Sequence, residues 1–189
     1  MTRSILILAA VVAAHTQVAY AKHSCESALY VSVMPKHKGL TYGMSAVKAK
    51  RVLRKMYKST GKGTVTPTKQ GITVDIRRAH QKIFDQVYIG LTNGVVTRMA
   101  WSYSNSFQAK MGGSGDAFAS ILTKLKEKVG GAGDVSKENN QYKFTWSEQG
   151  GLSLVVLGKD PNSIFMSFNC DALSRAKLTE IRESTNMGF

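Results

Sequence analysis

Apolar residues fall at alternate positions at Ile83, Val87, Ile89 and Leu91, with Asp85 interrupting the row. They do so again at Val95, Met99, Trp101 and Tyr103, with Thr97 in the same row. Period-two runs on either side of Asn93-Gly94 predict a β-hairpin. Two turns suit that dipeptide. A two-residue turn sets Leu91 opposite Val96 and Val87 opposite Ala100, which puts the two apolar rows on opposite faces. A three-residue loop, Thr92 to Gly94, with Gly94 left-handed in a G1 bulge, pairs Val87 with Met99 and Ile83 with Tyr103. The second register keeps both rows on one face and is the one expected. Ile72, Val74 and Ile76 alternate just upstream and supply a third strand.

The rest of the pattern is read around this meander. Ala28 to Met34 predicts a short strand that ends at Pro35, which has no N–H to donate. Ser45 reads as the N-cap of a helix to about Lys58. Ala46, Ala49, Val52, Leu53, Met56 and Tyr57 form one arc of that helix. Gly61 to Gln70 and Asn105 to Gly115 read as loops. A second helix, capped by Ser114 or Asp116, carries Phe118, Ile121, Leu122, Leu125 and Val129 at helical spacing and stops at Gly130-Gly131. Three more strands follow, through Tyr142 to Trp146, Leu152 to Val156 and Ile164 to Phe168. They turn at Glu148 to Gly151 and at Asp160-Pro161-Asn162. A last helix runs from Ala172 to about Glu183, capped by Asn169 or Asp171. The expected class is α+β, with antiparallel sheet in an α-βββ-α-βββ-α order and helices packed on one side.

At fold level this order resembles the exported α-plus-antiparallel-sheet modules of the β-lactamase-inhibitor-protein and outer-membrane-assembly-lipoprotein kind. Gly43-Met44-Ser45 before the first helix and the Asn93-Gly94 and Gly150-Gly151 hairpins carry the resemblance. Those modules mostly bind other proteins, so the resemblance implies a binding role. The strongly basic composition departs from them, and no binding residue is transferred.

The N-terminus changes the compartment. Arg3, the apolar run Ile5 to Ala14 and Ala19-Tyr20-Ala21 read as a cleaved signal peptide over residues 1–21, followed by a single α+β domain over residues 22–189. The run is too short for a membrane span and no comparable run follows. The expected location is the periplasm or outside the cell. Cys25 and Cys170 are the two cysteines of the chain, and in an oxidising compartment they are expected to form one disulfide.

Charge narrows the function. Lysine and arginine number 26 against 12 acids, a formal net charge of +14. Lys48, Lys50, Arg51, Arg54, Lys55 and Lys58 share the first helix with no carboxylate. Like charges at i,i+4 repel. The arc is therefore either a solvated face whose stems cover apolar surface or a docking face for an anionic partner. An acidic protein or an anionic envelope or lipid component fits such a face. Nucleic acid fits the charge, but export argues against it as the main ligand, and an inhibitor of a basic lytic enzyme would itself be acidic.

Catalysis finds little footing. His23, His37 and His80 are scattered, with no metal-ligand spacing, so no metal or cofactor is expected. Ser45-Ala46-Val47-Lys48 matches S-x-x-K, but without a Ser-Asp-Asn or Lys-Thr-Gly partner. The reading is a non-catalytic exported binding protein. Its rivals are a small secreted enzyme and an immunity or inhibitor protein for a secreted toxin.

Overall fold

The computed structural model describes residues 35, 39–58, 64–68, 70–76, 83–131, 133–138, 141–146, 152–157 and 163–186. The expected leader, the strand Ala28 to Met34, Cys25, the three mature histidines and the turns at Glu148 to Gly151 and Asp160 to Asn162 lie outside them.

Twelve elements occur among the described residues. In chain order they are α1 (Ala46–Lys58), β1 (Thr64–Pro67), β2 (Gly71–Asp75), β3 (Phe84–Thr92) and β4 (Val95–Tyr103). Then come α2 (Asn105–Lys110), α3 (Ser114–Val129), β5 (Asp134–Glu138), β6 (Gln141–Trp146), β7 (Leu152–Leu157), β8 (Ile164–Asn169) and α4 (Asp171–Asn186). The class is α+β with antiparallel sheet, as the pattern predicts. Two strands and a helix exceed the expected order. β1 and α2 occupy stretches read as loops, and β5 precedes the expected second set of three. The three are short and largely polar, so periodicity is a weak guide to them. In α2 the Ser104 hydroxyl accepts from the Phe107 N–H at 3.2 Å, which starts the helix. Gly113, rather than Ser114 or Asp116, stands at the N-cap of α3, with no side-chain cap.

All eight strands join one sheet in the order β1-β2-β3-β4-β8-β7-β6-β5. Two four-stranded meanders thus meet at β4 and β8. One face carries the row Val74, Val87, Trp101, Met166 and the row Ile72, Ile89, Met99, Phe168, each aligned across four strands. These residues are buried and form one cluster with Ala49, Leu53 and Tyr57 of α1, Ala117, Ile121 and Leu125 of α3, and Leu173 of α4. Trp101 meets Phe168 edge-on at 5.7 Å between ring centroids, a favoured aromatic geometry.

The register of the first hairpin differs from the expected one. Thr92 pairs with Val95 and Leu91 with Val96, so the turn has two residues, not three. Asn93 (φ 47°) and Gly94 (φ 70°) are both left-handed, as a type I′ turn requires. A register shift then follows, for Gly90 pairs with Arg98 and leaves Thr97 as an extra residue. Beyond it Val87 faces Trp101 and Ile89 faces Met99. The apolar rows do share a face, but the extra residue that puts them in phase is Thr97 within β4, not a third loop residue. A second shift at Asp85 sets Phe84, instead of Ile83, opposite Tyr103, and Ile83 is left exposed.

Thr97 is also a fastening point. Its carbonyl accepts from the Cys170 N–H at 2.7 Å. Its hydroxyl lies 2.9 Å from that of Thr92, which in turn lies 3.1 Å from that of Ser174 in α4. Where β4 extends past β8, its edge is paired by the segment before α1. Gly43 N–H donates to the Val96 carbonyl at 2.8 Å and Val96 N–H to the Met44 carbonyl at 2.9 Å.

This packing makes two outcomes measurable. A Cβ at Gly94 would meet nothing within 4 Å, so Gly94→Val carries only the conformational cost of φ 70°. Urea unfolding should show a loss of about 1–2 kcal/mol, and Gly94→Asn much less, since asparagine tolerates this region. Equal stability of the valine and asparagine variants would contradict the turn. The second concerns the buried phenols. Burial raises Tyr42, helped by the negative charge of Asp171, and burial alone raises Tyr57 and Tyr103. With the folded-state values above the unfolded one of about 10, the stabilising difference is present below that pH. It is lost as pH rises and the unfolded chain releases protons first. The melting temperature should fall above about pH 10, less steeply for Tyr42→Phe with Tyr103→Phe. An unchanged slope in that double variant would contradict the assignment.

Candidate anionic-partner interface

The first helix is fastened at its N-terminal end. The Ala46 N–H donates to the Gly94 carbonyl at 2.8 Å, which fixes the start of α1 at the hairpin turn. Ser45 acts as its N-cap, its hydroxyl accepting from the Lys48 N–H at 3.4 Å. The serine of the S-x-x-K match therefore serves the helix, and both Ser45 and Lys48 are exposed.

Ala49, Leu53 and Tyr57, four residues apart, are buried, and Val52 and Met56 flank them. Burial of this arc turns the opposite one outward. Lys48, Arg51, Arg54 and Lys55 are exposed, whereas Lys50 is half-buried at the margin, its stem available to cover apolar surface. Lys58 ends the helix, its side chain outside the described residues. Five of the six expected cations are thus placed, four of them on the outer arc. No acid lies in the first turn, and none of these cations has a carboxylate partner among the described residues. At 1.5 Å rise per residue, Lys48 to Lys55 span about 10 Å of the axis.

One member of this face is missed by charge counting. Val47 is 72% exposed, the largest exposure of any large apolar residue described. It stands one turn before Arg51 and two before Arg54, so an apolar side chain sits among the cations. Its signal in the sequence is a β-branched residue on the polar arc of an amphipathic helix. By contrast α3 mixes signs on its outer side, with Asp116 and Glu127 beside Lys124, Lys126 and Lys128. No helix among the described residues is long and apolar enough to cross a membrane.

Comparison with family models, curated proteins and solved structures finds no match for this chain.

Because the cations repel one another and no carboxylate among the described residues compensates them, charge reversal within the arc should not harm the fold. Arg54→Glu creates opposite-charge pairs with Lys50 and Lys58 at i,i±4. It should raise stability by about 0.3–1 kcal/mol at low salt, measured by denaturant unfolding. A loss above about 1 kcal/mol would mean that Arg54 is a structural residue and not part of a free face.

Proposed function

We propose that this protein is an exported, non-catalytic binding protein that docks an acidic protein or an anionic envelope component through the outer arc of α1. The carrying observation is that Lys48, Arg51, Arg54 and Lys55 are exposed on one arc, around the exposed Val47, with no acidic partner among the described residues. Such a one-signed surface raises encounter rates with opposite charge. An apolar centre within it adds burial that a purely solvated face would not supply. The hairpin turn and the Ser45 cap hold the helix in place before any partner arrives, which reduces the ordering cost of binding.

Export, by a leader over residues 1–21, and a disulfide between Cys25 and Cys170 belong to the same proposal. Cys170 is fully buried, between β8 and α4. A bridge from there would tie the start of the mature chain to the centre of the sheet. The enzyme alternative rests on Ser45 and Lys48, and the capping role of Ser45 leaves it without a dedicated nucleophile.

A cation close to an anionic surface contributes about 1 kcal/mol. Changing Arg51, Arg54 and Lys55 together to glutamine should therefore weaken binding to vesicles containing anionic phospholipid, or to an acidic partner, on the order of a hundredfold. Wild-type binding should fall steeply with salt. The matched control changes Lys124, Lys126 and Lys128 of α3. Equal losses from both sets would mean that net charge alone attracts the ligand, and the α1 reading would fail.

A further inference from the structure

Arg98 of β4 lies on the sheet face opposite the core. It pairs across from Gly90 of β3, and Gly90 in turn pairs with Gly71 of β2, so this row lacks a side chain at two successive positions. The space is used. A Cβ at Gly90 would stand 2.9 Å from the Arg98 Cβ, and one at Gly71 would stand 2.8 Å from the Tyr88 ring. Both glycines let these two long side chains lie across the strands.

The guanidinium rests over the Tyr88 ring at 5.8 Å from its centroid. Its Nε donates to the Ser167 hydroxyl at 2.8 Å. Ser167 is only 1% exposed, and its own proton goes to Asn169 Oδ1 at 3.2 Å, so the acceptor that orients Arg98 is itself fixed. The Tyr88 hydroxyl donates to the Gln70 carbonyl at 3.3 Å, which holds the stacking ring. The ring contact and one side-on hydrogen bond thus orient the exposed guanidinium. Its two amino groups have no protein partner among the described residues.

Arg98 lines a cavity of about 330 Å³, with Thr92, Thr97, Ser174, Asn169 and Asp171 also in its wall. The hydroxyls of Thr97, Thr92 and Ser174 form a chain with two hydrogen bonds. Three hydroxyl protons serve those two bonds, so one proton remains for a ligand.

We infer that this cavity is a binding site for a small carboxylate, gripped by the free amino edge of Arg98 and by the hydroxyl chain at Thr92. A planar, pre-oriented guanidinium edge matches a carboxylate in two-pronged geometry. Its contact with the Tyr88 ring and its bond to Ser167 spare part of the ordering cost that a loose surface arginine meets. Asp171 in the same wall sets the class of ion, because its negative charge disfavours a dianion such as phosphate more than a monoanion. The volume admits about ten water-sized units, which suits a ligand no larger than an acylated amino acid. This inference concerns the sheet face and stands or falls apart from the docking role of α1.

The test titrates the isotope-labelled full-length protein with N-acetylalanine, its neutral amide and inorganic phosphate at fixed ionic strength. The readouts are the Arg98 Nε–H signal and the backbone amides of Tyr88, Gly90 and Thr92. Saturable shifts with N-acetylalanine are expected, with the amide and phosphate each weaker by about tenfold or more. Arg98→Lys keeps the charge but not the planar edge, and should weaken the carboxylate by about tenfold at an unchanged melting temperature. No saturation with N-acetylalanine, equal shifts with its amide, or phosphate binding as well as the carboxylate would overturn the inference. So would a folded Arg98→Lys that binds as wild type. Should that variant fail to fold, the acid against amide comparison on the wild-type chain still decides.

Discussion

The structure depends on β4 offering the same apolar face to two neighbours at once. On one side it must match β3 and on the other β8, and through β8 the whole second meander. With the side-chain period fixed at two, a slip of one residue on either side would turn the apolar residues of every strand beyond it to the wrong face. The tight turn at Asn93-Gly94 would by itself impose that slip, since it sets Leu91 against Val96. The extra residue at Thr97 removes it. A bulge leaves backbone groups without a strand partner, and here the Thr97 carbonyl is taken by the Cys170 N–H and the hydroxyl by Thr92. The correction of register and the attachment of α4 are therefore one feature.

The same strand positions the surfaces proposed to bind. Its free edge at Val95 and Val96 pairs with the segment leading into α1, so the basic arc inherits its orientation from the sheet. Once Ala49, Leu53 and Tyr57 enter the core, helical geometry leaves Lys48, Arg51, Arg54 and Lys55 no position but the outside. On the other face of the sheet the bulge places Gly90 opposite Arg98. A large residue at that position would displace the arginine stem. Charge on α1 and the oriented guanidinium at Arg98 thus follow from different parts of one register.

Much of this is legible in the residues, and the exceptions have physical reasons. The long strands and helices show clean periods of two or 3.6 because each buries one side. Among the described residues β1 and β5 are the outermost strands and most of their side chains are exposed, so Thr64–Pro67 and Asp134–Glu138 carry no apolar alternation. The Ser104 cap of α2 is readable, but six residues are too few for a helical period to emerge. The shared face is a correct inference from sequence, but the three-residue loop expected to provide it, Thr92 to Gly94, is replaced by a two-residue turn that conflicts with that face. That conflict could be resolved by an extra residue in the loop or in a strand, and nothing local to Thr97 decides between them. Of the proposed sites, the cations of α1 are visible by counting, whereas Arg98 becomes special only through Gly90, Tyr88 and Ser167, which meet it from neighbouring strands.

Cross-strand nuclear Overhauser contacts along β4 test the register most directly. Contacts are expected from Val87 to Trp101 and from Met99 to Phe168, together with a Thr92 to Val95 contact at the turn. Contacts from Val87 to Ala100, or from Val87 to Met99, would place the extra residue elsewhere or nowhere. Either would contradict the claim that Thr97 brings the two halves of the sheet into phase.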